Sequence, residues 1–283
     1  DWSSDVCSSD LVGGPLQSVF TKGFEYSDCW VDDARLVVLN AMAAADKGAT
    51  IKTRNEIVSA KREGQEWRLE VDDVRTGVRS TIRSRVLINA SGPWVGHVIS
   101  DRIAISSTSR IRLVKGSHII VPRIHDGDRA YIFQNPDRRI IFAIPYEHDF
   151  TLVGTTDLDY SGRPEDVIAD DEEVAYLCDA IGEYFSKPIS PEDVVWSYSG
   201  VRPLYDDGSS EAQEATRDFV LELDGDQENA VVLNIFGGKI TTYRRLAEEV
   251  LGKLKPWLPM MKQSWTSGAV LPGGDFPIDG LSA

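Results

Sequence analysis

Apolar and polar positions follow two different rhythms along this chain, and the change falls near Ile111. Upstream, Asp32 and Asp33 precede an alanine- and leucine-rich stretch, residues 34–47, with Gly48 just beyond. An N-cap, a run of strong helix formers and a C′ glycine in that order predict a helix. Residues 49–53 predict a short strand. Residues 57–62, 67–71 and 79–83 alternate or carry strand formers, and Glu63-Gly64-Gln65 and Thr76-Gly77 separate them, which predicts a three-stranded meander. Val86–Asn89 reads as a buried parallel strand. It ends in Ala90-Ser91-Gly92-Pro93-Trp94, where small residues allow a tight turn.

Downstream of Ile111, residues 119–122, 130–134, 140–145 and 151–154 are short strands at hairpin spacing, so a mostly antiparallel sheet is expected. Residues 171–185 read as a helix with acids in its first turn to complement the dipole. Residues 194–199 and 219–223 are further strands. The apolar strand Val231–Phe236 runs into Gly237, Gly238 and Lys239, and Thr241 and Thr242 open a last helix, 241–254. Its stripe of Tyr243, Leu246, Ala247, Val250, Leu251 and Leu254 has the spacing of a core-facing surface. Two glycines let backbone approach a ligand, and a helix start aims free N–H groups and the positive dipole end at it, which suits an anionic or electron-rich group. No G-x-G-x-x-G loop occurs anywhere, so the chain carries one half of a cofactor pocket without the half that holds a pyrophosphate. The fold class is mixed α/β (α+β): a partial Rossmann-like domain with a three-stranded meander (residues 23–100 and 225–260) and an antiparallel-sheet substrate domain (101–224).

With 283 residues, 42% of them hydrophobic, the chain can bury a sizeable core. A net charge of −15 argues against nucleic-acid binding, and an anionic substrate would need locally placed cations. No apolar run approaches the ~20 residues of a membrane span, and the start lacks the basic and apolar regions of a secretory signal. Cys7, Cys29 and Cys178 have neither disulfide nor zinc spacing, which fits a reducing compartment and no metal site. Residues 1–10 are polar and aperiodic, so 1–22 reads as a tail or junction artefact. Residues 261–283, rich in Gly and Pro toward their end, read as a truncated linker.

Four segments place basic or imidazole groups at strand ends: Lys115-Gly116-Ser117-His118 before a strand, Gly200-Val201-Arg202-Pro203-Leu204 after one, Thr216-Arg217-Asp218 opening another, and Lys239 in the glycine junction. Arginine grips phosphate or carboxylate with two donors, and lysine acts as a point charge. Each has a plainer reading. His118 could be a half-buried histidine bonded to backbone, Arg202 a turn residue, and Arg217 the ion-pair partner of Asp218. Lys239 has little packing reason to lie between glycines and a helix start. Thr155-Thr156-Asp157 suits a polar strand end better than a catalytic set. G-x-S-x-G, H-E-x-x-H and P-loop patterns are absent.

Taken together, GFEYSDCWVDDARLV (23–37), NASGPWV (89–95), IRLVKGSHIIVPR (111–123), VGTTD (153–157), WSYSGVRPL (196–204), ATRDF (215–219) and FGGKITTYRRLAE (236–248) resemble the FAD-dependent glycerol-3-phosphate dehydrogenases of the D-amino-acid-oxidase-like flavoproteins. The resemblance implies that Gly237, Gly238, Lys239, Thr241 and Thr242 lie against the pyrimidine end of the flavin. It implies that Ile57 lines the adenine site and that Ala90, Ser91 and Gly92 pass close to the cofactor chain. His118, Arg202 and Lys239 would surround sn-glycerol 3-phosphate, with Arg217 a weaker candidate. His118 would take the C2 hydroxyl proton while hydride passes to flavin N5 and dihydroxyacetone phosphate forms.

The family pattern further implies a cytoplasmic enzyme peripheral to the inner face of the cell membrane, passing electrons to quinone, and leaves a homodimer open. Membrane contact would come through regions outside these motifs. The family's glycine-rich loop and an arginine-tyrosine pair should precede Gly23 and a helical domain should follow Gly274. Without them this piece should bind FAD poorly and leave an apolar face or edge uncovered. Three other readings stand beside this one: an oxidase of an amine, amino acid or other hydroxy acid, an oxygen-using glycerol-phosphate oxidase, and a cofactor-free binding remnant.

Overall fold

A computed structural model describes residues 5–8, 14–28, 30–206, 208 and 218–277. The chain divides into two units, one of residues 1–28 with 112–216 and the other of 29–111 with 217–283.

In the second unit, the meander is β3 (Asn55–Glu63), β4 (Glu66–Asp73) and β5 (Arg79–Ser84), all antiparallel. Gly64, at φ +64°, allows the short turn between the first two. Ala60, Trp67, Leu69 and Val71 are buried, and Trp67, only 1% exposed, donates its indole N–H to the Val231 carbonyl at 2.9 Å. That bond ties the meander to a second sheet in the order β12 (Val220–Asp224), β13 (Val231–Phe236), β6 (Val86–Asn89). β6 and β13 run parallel in register and β12 is antiparallel to β13. The central strand is buried on both faces, which its unbroken apolar run already implied. β12 belongs to this unit because its hydrogen bonds go to β13, so the domain boundary falls at 217 and not at 225. The other boundary falls at 111 and not at 100.

Helix α1 (Asp33–Asp46) is capped as expected, the Asp32 side chain accepting from the Arg35 N–H at 3.0 Å and Gly48 leaving at φ +91°. Yet it buries no residue, and Val37 is 64% exposed. Ile88 on β6, an edge strand among the described residues, is also exposed. Residues 49–53 form no strand: the bonds recorded for them are local, Ala49 N–H to the Ala44 carbonyl and the Asn55 amide to the Thr53 carbonyl, each at 3.0 Å, and Ile51 is exposed. In the last helix, α3 (Tyr243–Leu254), the core side is narrower than its six-residue stripe. Val250 and Leu254 are buried with Leu246 against them, while Tyr243, Ala247 and Leu251 are exposed.

The first unit is a five-stranded antiparallel sheet in the order β11 (Trp196–Tyr205), β7 (Ile111–Pro122), β10 (Phe150–Asp159), β9 (Ile140–Tyr146), β8 (Tyr131–Gln134). Helix α2 (Asp171–Gly182) covers one face, packing Leu177, Cys178 and Ile181 on Ile119, Val121, Ile141 and Val153. A reciprocal capping box between Asp170 and Glu173 starts it. Burial pushes the Cys178 thiol up to about 11, so it is an inert core residue. Cys7 and Cys29 lie outside the described side chains.

The segment read as a tail carries structure. β1 (Asp5–Ser8) pairs with β2 (Lys22–Glu25), and Gln17 and Pro15 exchange backbone hydrogen bonds with Tyr184 and Ser186 at the end of α2. Periodicity misses such a strap because scattered contacts hold it: these backbone bonds, the Gln17 amide donating to the Gly182 carbonyl at 2.7 Å, and Leu16 packed on the core.

Candidate active site

In the first unit, β7 is longer than expected, and Lys115-Gly116-Ser117-His118 lies inside it, not before it. Alternation then separates these side chains. Lys115, Ser117, Ile119 and Val121 face α2. Lys115 Nζ lies 2.6 Å from Glu173 Oε2 and 3.5 Å from Asp170 Oδ2, and Ser117 Oγ donates to Glu173 Oε1 at 2.9 Å. Lys115 is thus held by the capping box of α2 and is not an anion ligand.

His118 points the other way. Across the β7–β10 register it faces Gly154, and its ring stacks on Tyr198 with centroids 4.9 Å apart and planes 7° from parallel. Its Nδ1 is buried without a hydrogen-bond partner. Burial, then the charge of Arg202, pushes its pKa down to about 4, so the imidazole is neutral at pH 7.

Arg202 also lies within a strand, β11, and not after one. Pro203 is tolerated there because β11 is an edge strand among the described residues. Tyr198, Gly200 and Arg202 share one face of β11 by alternation, the face on which Tyr198 meets His118. The structure therefore brings His118 and Arg202 together. Thr155 lies inside β10 and donates to the Ile140 carbonyl at 2.9 Å, a structural role. Arg217 lies outside the described residues.

In the second unit, two loops leave the carboxyl ends of the parallel pair side by side, since Asn89 and Asn234 are register partners. One is Ala90-Ser91-Gly92, with Gly92 at φ +57° and open space where a Cβ would be. The other is Gly237-Gly238-Lys239, with the glycines at φ +74° and +105°. Lys239 is exposed and is the N-cap of a 3-10 turn, Ile240–Thr242, that leads into α3 without a side-chain cap on its N–H groups. Thr241 and Thr242 lie in that turn. Crevices at such strand ends are where open α/β sheets take ligands. Ile57 lies in β3 opposite Val71, beside a bulge. The positive-φ glycines, the uncapped helix start and the paired loops suit the electron-rich end of a flavin. His118 and Arg202 belong to one unit and Lys239 to the other.

Sequence reasoning missed four residues. Gly154 and Tyr198 frame the imidazole. Asn89 donates to Asn234 Oδ1 at 3.0 Å and to the Val95 carbonyl at 3.2 Å, and Ser91 donates back to Asn89 at 2.6 Å. Both asparagines are buried and pin the roots of the two loops. The signal for them was present: two apolar parallel strands, VLIN and VVLN, each close on asparagine.

The fold and its loops are those of a nucleotide-cofactor oxidoreductase, and comparison with known proteins agrees. The family model described as FAD dependent oxidoreductase (DAO) matches residues 9–244. The chain belongs to that family. It is 53% identical to D-erythritol 1-phosphate dehydrogenase of Brucella abortus over 94% of this chain and 53% of that protein. It is 47% identical to the aerobic glycerol-3-phosphate dehydrogenase of Escherichia coli over 93% of this chain and 53% of that protein. The glycerol-3-phosphate dehydrogenase of Bacillus halodurans, solved with FAD, superposes with a TM-score of 0.81 at 25% identity, over 95% of this chain and 52% of that one. The chain spans about half the length of the relatives it matches.

Proposed function

We propose that this protein serves the FAD-dependent oxidation of a small polyol phosphate, sn-glycerol 3-phosphate first, to the corresponding keto phosphate. The observation that carries the reading is a neutral imidazole, His118, held on a sheet face within the field of Arg202. Arg202 pairs with the phosphate or with the oxygen that becomes a carbonyl, because its planar donors match either. His118 accepts the hydroxyl proton as the alcohol is oxidised. Neutralisation of Arg202 by the substrate phosphate removes one of the two causes depressing His118, which makes the imidazole a stronger base in the complex than in the free protein. Lys239 adds a positive charge at the glycine junction, and Arg217 is a further anion ligand in this reading.

When bound, FAD supplies the two-electron acceptor. Gly237, Gly238, Thr241 and Thr242 would hold its pyrimidine end together with Lys239, Ala90, Ser91 and Gly92 its chain, and Ile57 its adenine end. The same proposal takes quinone as final acceptor and a peripheral position on the inner membrane face, on the strength of the family resemblance. No helix among the described residues is long and apolar enough to cross a membrane.

A second reading, D-erythritol 1-phosphate as substrate, has the higher identity, 53% against 47%, in its favour. Both molecules carry a phosphate and secondary alcohols, the groups that Arg202 and His118 would engage. Anaerobic bleaching of the FAD-loaded protein by each polyol phosphate tests the proposal, and the ratio of the two kcat/KM values ranks the substrates. Bleaching by sarcosine or glycine but by neither phosphate rejects both.

A further inference from the structure

The described structure frames His118 with two uncharged groups, a glycine on one neighbouring strand and a tyrosine ring on the other. Gly154 lies opposite it in the β7–β10 register. A Cβ built on Gly154 would fall 2.1 Å from His118 Cδ2, 2.6 Å from Nε2 and 3.1 Å from Cγ, so the ring occupies the volume that any side chain at 154 would need. No Cβ is tolerated at such distances, and the nearest atoms belong to a stiff ring, not to the end of a flexible chain. Gly154 is thus a notch, and its φ is not positive: the backbone does not require glycine there.

On the other side the Tyr198 ring lies nearly parallel to the imidazole at 4.9 Å. Tyr198 comes from β11 and Gly154 from β10, and β7 runs between them, so the clamp is built across three adjacent strands. Aromatic stacking contributes about 0.5–1.5 kcal/mol beyond area burial and fixes the ring plane.

We propose that Gly154 and Tyr198 are positioning residues for His118: the glycine notch sets the depth of the imidazole and the tyrosine ring sets its plane. This rests on the reading of His118 as the proton acceptor. The notch lies against the Cδ2–Nε2 side of the ring, Nδ1 is buried without a partner, and Arg202 lies two positions along the same side of β11 from Gly200. The clamp also accounts for the burial that keeps the ring neutral.

The test needs no turnover. Titration of the His118 Cε1–H resonance in the full chain, wild type against Gly154→Ala, Tyr198→Leu and Tyr198→Phe, reads the ring environment directly. Gly154→Ala and Tyr198→Leu should move the midpoint up toward the ordinary ~6.5, and Tyr198→Phe, which keeps the ring, should stay near wild type. Thermal unfolding of Gly154→Ala in wild-type and His118→Ala backgrounds forms a double-mutant cycle. The melting temperature should drop with the imidazole present and recover when it is absent.

With FAD bound, the displaced base should slow flavin reduction by ~100-fold at saturating substrate with KM changed less, because misplacement by about 1 Å acts on the transition state. Unchanged midpoints in Gly154→Ala and Tyr198→Leu, or an equal drop in both cycle backgrounds, overturns the clamp. Shifted midpoints with undiminished flavin reduction leave the notch standing as geometry and overturn the assignment of His118 as the proton acceptor, and with it the positioning role.

Discussion

Replacing His118 with glutamine should flatten the acid side of the stability curve. Burial and the Arg202 charge hold the imidazole at about 4, against an ordinary value of 6.5. The folded state therefore binds fewer protons than the unfolded chain between these two values, and stability rises with pH across that window. The contribution is complete above the unfolded value and is lost as pH falls toward about 4. From about pH 7.5 to about 4.5 the linkage amounts to roughly 2–3 kcal/mol, the work of depriving one imidazole of its proton in the fold. Urea unfolding of wild type and His118→Gln at both pH values reads it. His125, buried beside Tyr131 and Phe185, is depressed in the same direction by burial and Arg123, but it is present in both proteins and cancels in the difference. Wild type should lose roughly 2–3 kcal/mol more than the variant on acidification. Parallel curves would refute the burial of His118 and the reasoning built on it.

Other consequences are local. Trp67→Ala removes a side chain that is 1% exposed together with its bond to the Val231 carbonyl, and should cost about 3–5 kcal/mol in denaturant unfolding. Asn89→Leu leaves the fully buried Asn234 amide and the Val95 carbonyl without their donor and should cost about 1–3 kcal/mol, lowering FAD affinity as the two loop roots lose their tie. Arg202→Ala should lower kcat/KM for a polyol phosphate by ~100-fold or more, whereas Lys115→Met should leave KM within a few-fold and destabilise α2, because Lys115 is committed to Glu173 and Asp170.

Much of the second unit was legible because its signals are local. The Asp32 cap and Gly48 bracket α1, Gly64 closes the meander, and the apolar runs Val86–Asn89 and Val231–Phe236 announced two strands, which pair in parallel with the second buried on both faces. The first unit was less so. The polar, glycine-containing segment Lys115 to His118 looks like a turn, yet it continues β7, since Gly154 and α2 supply cross-strand and cross-layer partners that local pattern cannot show. GVRPL was likewise read as a strand exit because of its proline, and an edge position lets it continue. Among the cations, sequence could not separate Lys115, consumed by the cap of α2, from Arg202, which acts on His118. That distinction depends on which side of a strand each residue faces. The role of Gly154 is equally invisible in one dimension, because the ring that fills its place is 36 residues away, on the neighbouring strand.

Anaerobic stopped-flow mixing of the FAD-loaded protein with sn-glycerol 3-phosphate or D-erythritol 1-phosphate, for wild type and for His118→Ala and Arg202→Ala, bears most directly on the central claim. The account predicts rapid loss of flavin absorbance with at least one of the two, much slower loss in His118→Ala, and weakened saturation in Arg202→Ala. Equal bleaching rates and equal saturation in all three proteins would contradict it.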